Sequence, residues 1–241
     1  MKLLIDVGNT SLKAALWREQ QATPVSMSDV PWQAITEVVY ACVGNSELLN
    51  DALTLAAKKS IPCFEAHVSK NLSGLSCAYE QVSNLGIDRW LALVAGFSLY
   101  PNKPCIIVDA GTATTIDVLS GEGEHLGGWI LPGLDLMTRS LAQNTQRVFD
   151  DANTPFLNEL GKNTPNGLKN GALVATLGAI EQAKYQLKHV TGEQKPQILC
   201  AGGYGLLLQQ QISGSIFDSL LVMKGLNYWH ELSKNDEKQQ N

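Results

Sequence analysis

Apolar and polar residues fall into two rhythms along this chain. Short apolar or alternating runs predict strands, and apolar residues recurring every three or four positions predict helices. The opening run, Lys2–Leu3–Leu4–Ile5–Asp6–Val7–Gly8, carries one carboxylate to the end of an apolar strand. A polar turn, Asn9–Thr10–Ser11, follows, and Leu12 to Trp17 leads away as a second strand. Gln20 to Pro31 is polar and predicts an edge strand or a loop. Val38 to Gly44 is β-rich, short and closed by glycine, which predicts a buried strand. Ser46 to Lys59 has helical spacing, with Leu48, Leu49, Ala52, Leu53 and Ala56 on one face. Pro62 to Val68 predicts another strand, and Leu72 to Leu85, without a sustained period, a loop. Asp88 to Tyr100 is a strongly apolar helix closed by Pro101 and Asn102.

A second series then begins. Cys105–Ile106–Ile107–Val108–Asp109–Ala110–Gly111–Thr112 repeats the apolar run, carboxylate and glycine turn. Thr114 to Leu119 and Leu126 to Leu131 predict its next two strands, and Pro132–Gly133 stops the last of them before a helix from Leu134 to about Asn144. Thr145 to Asn166 is a polar connection, Gly171 to Val190 a long helix, and Gln197 to Ala201 a strand ending in Gly202–Gly203. Leu206 to Gln211 and Ile216 to Leu232 carry the last helical signals, and the polar tail from Ser233 predicts a frayed end.

Strands alternating with helices predict an α/β fold. The shared apolar–Asp–x–Gly pattern at Asp6 and Asp109 predicts two similar halves, 1–102 and 103–241, each opened by a hairpin that ends in a carboxylate. Such halves can face each other across a cleft and set two turns around one ligand.

Composition narrows the functions open to this chain. The 241 residues are 44% hydrophobic, enough for a core, and the formal charge of −5 argues against nucleic-acid binding through a general basic surface. Five cysteines without C-x-x-C spacing read as buried thiols in a reducing compartment. Met1 leads straight into a strand and no apolar run approaches a membrane span, so the expected location is the cytoplasm. His67, His125, His189 and His230 lack metal-ligand spacing and read as surface or structural residues. No G-x-x-x-x-G-K-[ST] loop and no G-x-S-x-G elbow occurs.

The turns remain. Glycine permits a tight turn whose successive N–H groups suit phosphate oxygens, and an aspartate beside them serves best by orienting a hydrated divalent cation. Lys13 is either a point charge for phosphate or a solvated edge-strand lysine. Asp88, before an apolar helix, is either an N-cap or a general base. Arg89 beside it reads, on the residues alone, as half of a surface salt bridge.

Four motifs, in order, resemble those of type III pantothenate kinase: Asp6-x-Gly8-Asn9-Thr10-x-x-Lys13, Gly86-x-Asp88-Arg89, Asp109-x-Gly111-Thr112-Ala113 and Gly127-Gly128-x-Ile130-x-Pro132-Gly133. Asn163–Thr164 and Gly202–Gly203 extend the resemblance. The resemblance implies an actin-like ATPase fold of two duplicated ribonuclease-H-like halves. It implies a homodimer, with ATP between the halves and pantothenate near the dimer interface. The implied reaction moves the γ-phosphoryl group of ATP to the primary alcohol of pantothenate, giving 4'-phosphopantothenate, the first step of coenzyme A synthesis. A divalent ion such as Mg²⁺ and a monovalent ion, K⁺ or NH₄⁺, are implied as well.

By the same resemblance, Asp6, Val7, Gly8, Asn9, Thr10, Ser11, Leu12 and Lys13 bind ATP, joined by Thr112. Asp6 holds Mg²⁺ through water, and Asp109 helps bind the monovalent cation. Asp88 is the general base. Tyr79, Gly86, Ile87, Asp88 and Arg89 contact pantothenate, with Thr164 reaching in from the partner subunit. Val82 stands where a proline is common between Tyr79 and Gly86. Two rivals are a related kinase with another alcohol acceptor and a non-catalytic, regulatory nucleotide-binding accessory protein on the same scaffold.

Overall fold

Hydrophobic runs too short for helices become the strands of two separate mixed sheets in the computed structural model, which describes residues 1–8, 12–44 and 46–240, with side chains to 238. The first sheet contains β1 (Lys2–Val7), β2 (Leu12–Arg18), β3 (Gln21–Pro24), β4 (Glu37–Cys42) and, after helix α1 (Glu47–Lys58), β5 (Cys63–Glu65). Its order is β3-β2-β1-β4-β5, with β1–β2 and β2–β3 antiparallel and β1–β4 and β4–β5 parallel. Leu3, Leu4 and Ile5 are fully buried, as a central strand covered on both faces requires.

On one face, Leu3, Ile5 and Val7 pack with Leu49, Ala52 and Ala56 of α1. Ser46 starts that helix, its Oγ accepting from the Leu49 N–H at 3.3 Å. Leu48, expected on the buried face, points to solvent.

The span expected to be a loop, 72–85, carries more structure than its sequence period suggested. β6 (Asn71–Leu72) and β7 (Leu75–Ser76) form a small hairpin, and a 3-10 turn covers Val82–Asn84. Ser73 and Gly74 both have positive φ, 46° and 96°, the pairing that suits a two-residue hairpin turn. Helix α2 (Ile87–Leu99) follows, with Trp90, Leu91, Leu93, Val94 and Ala95 fully buried.

The second sheet holds β8 (Cys105–Ala110), β9 (Ala113–Leu119) and β10 (His125–Pro132). After helices α3 (Leu134–Asn144) and α4 (Thr164–Thr191) come β11 (Gln197–Ala201), α5 (Gly205–Gln211) and β12 (Ile216–Phe217). Its order, β10-β9-β8-β11-β12, copies that of the first sheet strand for strand. The shared pattern has an antiparallel pair at the opening turn and two parallel strands beyond it. The short Asp-x-Gly repeat therefore marks a real duplication, the architecture of actin-like ATPases. Ile106, Val108, Ile116, Leu173, Ile180, Leu187 and Leu208 form the core of this half.

Helix α4 starts earlier than apolar spacing predicted, because Asn163 caps it by accepting from the Asn166 N–H at 2.9 Å and Pro165 fits the first turn. Gly192, at φ 77°, ends it. Ile216 and Phe217 form a strand rather than the start of a helix.

The last helix, α6 (Leu221–Gln240), packs on α2, β1 and β4. One compact unit thus comprises Met1–Pro101, Gly123–His125 and the chain from Leu220 on; the other comprises Asn102–Glu122 and Leu126–Ser219. The expected halves, 1–102 and 103–241, put this helix with the second; its packing is within the first. The tail predicted to fray is helical because its polar residues have partners. Lys234 pairs with Glu37, and Asp236 accepts from the Ser73 N–H at 3.0 Å. Among the described residues, no helix is long and apolar enough to cross a membrane.

Candidate active site

The two glycine turns stand at equivalent places in the two sheets. Asp6 lies near the end of β1, half-buried, its backbone opposite Lys13 of β2 and beside Ala41 of β4. Directly opposed residues of an antiparallel pair share a face, so the exposed Lys13 and Asp6 extend to the same side. Val7 and Leu12 direct their side chains into the apolar core, which leaves only their backbone groups for a ligand. Gly8 follows β1 directly; the candidates Asn9, Thr10 and Ser11 lie outside the described residues.

In the second turn the hydrogen bonding is explicit. Gly111 N–H donates to the Ala113 carbonyl at 2.9 Å, and Gly133 N–H to the Thr112 carbonyl at 3.0 Å. A Cβ on Gly133 would stand 2.6 Å from the Thr112 carbonyl oxygen, so only glycine lets the α3 entrance approach the turn. Gly202, at φ 79°, approaches from the other side: a Cβ there would stand 2.4 Å from Asp109 Oδ1 and 2.6 Å from the Ala110 carbonyl. The turn is thus walled by the two glycine segments of the sequence motifs, while Thr112 itself is exposed. Tyr204, just beyond, donates to Asp135 Oδ1 at 2.6 Å; burial, and then Asp135, push its phenol up to about 12.

The Gly86-x-Asp88-Arg89 motif opens α2. Gly86 is the N-cap, and Asp88 lies in the first turn, exposed, with Oδ1 accepting from the Arg89 N–H at 2.8 Å. A Cβ on Gly86 would stand 2.5 Å from that same Oδ1, so the missing side chain makes room for the carboxylate. Gly86 and Ile87 also line a cavity of about 380 Å³, with Cys42 and Val43 from the end of β4. Its position, past the carboxyl ends of parallel strands, is the usual ligand crevice of open α/β sheets.

Arg89 is not a surface residue. It is 6% exposed and donates from Nη1 to the Tyr79 hydroxyl at 3.0 Å, its guanidinium carbon 5.7 Å from the ring centre. Tyr79 is fixed in turn by residues that no motif marked. His125, 1% exposed, stacks on its ring, and Lys70 Nζ donates to the carbonyls of Cys77 and Tyr79 at 2.9 and 3.1 Å. The sequence offered no signal for either: His125 arrives from a distant segment, and Lys70, though only nine residues away, carries no motif. Thr164 lies in the other unit, exposed at the first position of α4.

A larger cavity, about 490 Å³, is lined by Lys103, Lys184, Lys188 and Lys195 at the opening ends of β8 and β11 and holds none of the motif residues. Among the described residues, no group of three His, Cys, Asp or Glu side chains could hold a metal ion.

The sequence profile described as type III pantothenate kinase matches residues 2–186. A type III pantothenate kinase of Pseudoalteromonas translucida (strain TAC 125) is 69% identical over 238 residues, spanning 99% of this chain and all of that relative. One from Colwellia psychrerythraea (strain 34H) is 30% identical over 238 residues, spanning 95% of each. Among solved structures, a Campylobacter jejuni protein of the Baf family superposes with a TM-score of 0.62 at 22% identity over 97% of this chain and 99% of its own, a likeness of fold alone. With the profile spanning most of its length and relatives matching it end to end, the chain belongs to the type III pantothenate kinase family.

Proposed function

We infer that this protein is a pantothenate kinase: it transfers the γ-phosphoryl group of ATP to the primary alcohol of pantothenate, giving ADP and 4'-phosphopantothenate for coenzyme A synthesis. The observation that carries this reading is the acceptor motif. An exposed carboxylate, Asp88, sits one residue from a buried arginine whose guanidinium is already aligned by Tyr79.

The roles follow from that placement. The Asp88 carboxylate accepts the proton of the pantothenate hydroxyl and aims its oxygen at the γ-phosphorus. The new P–O bond forms as the bond to the β–γ bridging oxygen breaks, and that oxygen leaves with ADP. Such a transfer needs alignment and charge neutralisation more than covalent help. Arg89 and Tyr79 hold the substrate carboxylate, and the backbone of Gly86 and Ile87 shapes the pocket wall. Asp6, Val7, Gly8, Asn9, Thr10, Ser11, Leu12 and Lys13 form the first phosphate turn, and Thr112 belongs to the second. Asp6 holds Mg²⁺ through water; when bound, the ion neutralises charge on the transferring phosphate oxygens.

The requirement for K⁺ or NH₄⁺ rests on Asp109. Asp109 Oδ1 and the Ala110 carbonyl oxygen lie together against Gly202, hard oxygens of the kind such a cation takes. The active form is a homodimer that supplies Thr164 to the partner's site. Support for this is the set of exposed apolar residues on the second unit: Trp129, Ile130, Leu136, Leu141, Leu160 and Val174. Cytoplasmic location agrees with five free cysteines, of which Cys77, Cys105 and Cys200 are buried.

The experiment is an acceptor panel. ADP release is followed with Mg²⁺ and K⁺ present, with pantothenate compared against sugars and polyols. Release that depends on pantothenate alone supports the assignment. Release with another alcohol would make the protein a related kinase, and ATP binding without release would make it an accessory protein.

A further inference from the structure

A histidine far from Tyr79 in sequence stacks on its ring. His125 opens β10, yet it and the two residues before it pack within the first unit. Gly123, at φ 85°, accepts at its carbonyl from the Ser76 N–H at 2.9 Å. A Cβ there would stand 2.6 Å from the Gly74 carbonyl, so the segment is seated tightly against the β6–β7 hairpin. From this anchor the buried imidazole accepts the Ala78 N–H at Nδ1, a long bond of 3.4 Å, and its ring stacks on Tyr79 with centres 6.2 Å apart and planes 10° from parallel. The stack and the hydrogen bond together fix both the height and the rotation of the ring against which Tyr79 lies.

We propose that His125 is a positioning residue for the acceptor pocket: it sets the plane of Tyr79, and through the Tyr79 hydroxyl it sets the Arg89 guanidinium that grips the substrate carboxylate. This rests on the reading of Tyr79 and Arg89 as pantothenate contacts. It assigns His125 no contact with substrate and no proton transfer. A residue of this kind acts on ground-state binding of one substrate, so its signature is a selective change in KM.

The test compares His125→Ala, His125→Phe and Tyr79→Phe in steady-state kinetics with each substrate varied in turn. Loss of an aromatic stack is worth up to about tenfold in affinity. His125→Ala is expected to raise KM for pantothenate about tenfold while KM for ATP stays within about twofold, and His125→Phe, which restores a ring, to recover most of that loss. In the double variant His125→Ala/Tyr79→Phe the two effects are expected to be less than multiplicative, because they share one path. The proposal is overturned if Tyr79→Phe raises KM for pantothenate and His125→Ala does not. It is equally overturned if both KM values move together, or if Phe fails to rescue where the protein remains folded. Should His125→Ala fail to fold, His125→Asn, which retains an acceptor without a ring, takes its place with the same expectation. If Tyr79→Phe itself leaves KM for pantothenate unchanged, the pocket reading fails first and takes this inference with it.

Discussion

The Asp88 carboxylate accepts one hydrogen bond, and the proposed base role would use the same group. Its Oδ1 accepts from the Arg89 N–H within the first turn while the group remains exposed at the mouth of α2, so this hydrogen bond and the proposed base role are compatible. Gly86, not Asp88, occupies the N-cap position itself. The two roles separate experimentally because asparagine can still accept from Arg89 N–H but cannot take a proton. Asp88→Asn is expected to lower kcat by about a hundredfold or more with an unchanged melting temperature; equal loss of both would make the residue structural. Gly86→Ala gives a finer probe. Its φ of −57° suits alanine, but the new Cβ would stand 2.5 Å from Asp88 Oδ1 and push the carboxylate aside. Kinetics should show a loss of about a hundredfold, the usual effect of a misplacement near 1 Å, in a protein that melts normally. The motifs made Asp88, Gly86 and Arg89 legible from sequence. Burial of Arg89 was not, because an arginine within an apolar helix can face either way until its partner, Tyr79, is known.

Helix α6 shows what periodicity cannot see. Its second half is polar and reads as a frayed tail, yet Lys234 and Asp236 find Glu37 and Ser73 on distant segments. Where it crosses α2, Gly225 sits on the Leu91 carbonyl with no room for a Cβ, which would stand 1.8 Å from that oxygen. Because the obstacle is backbone, the helices would have to part. Gly225→Ala is expected to cost about 2 kcal/mol, near 5 °C in melting temperature; an unchanged Tm in calorimetry would contradict this packing. The same helix carries His230, 2% exposed, packed on Phe64 with Lys2 and Lys234 near. Burial, then the two lysines, push its imidazole down from an ordinary 6.5 to about 4. Unfolded chain takes up this proton below 6.5 and the native protein does not until about 4. Stability from this site is therefore complete above pH 6.5 and is lost as pH falls towards 4, by at most about 3 kcal/mol. Urea midpoints at pH 7 and pH 5 should differ in the wild type and converge in His230→Phe. Strands and amphipathic helices were readable because their period is written in the chain itself; α6 and the β6–β7 hairpin depend on contacts that arrive from elsewhere.

Taken across the chain, a four-residue echo at Asp6 and Asp109 corresponds to a duplication of whole sheets, the same strand order built twice around a carboxylate-bearing turn. That echo was legible because a phosphate turn needs glycine and a carboxylate at fixed spacing, whereas the helices inserted between β10 and β11 follow no such constraint. The first half adds what the second lacks, the Gly86-x-Asp88-Arg89 motif at the start of a buried helix. In the proposed reaction that motif meets an alcohol whose carboxylate fits Arg89. The decisive measurement is the phosphorylated product itself, formed by wild-type protein from ATP and pantothenate with Mg²⁺ and K⁺ and identified by mass spectrometry and phosphorus NMR. A monoester on the primary alcohol of pantothenate, absent with Asp88→Asn, is the expected result. ADP formation without that ester, or an ester formed equally well by Asp88→Asn, would contradict it.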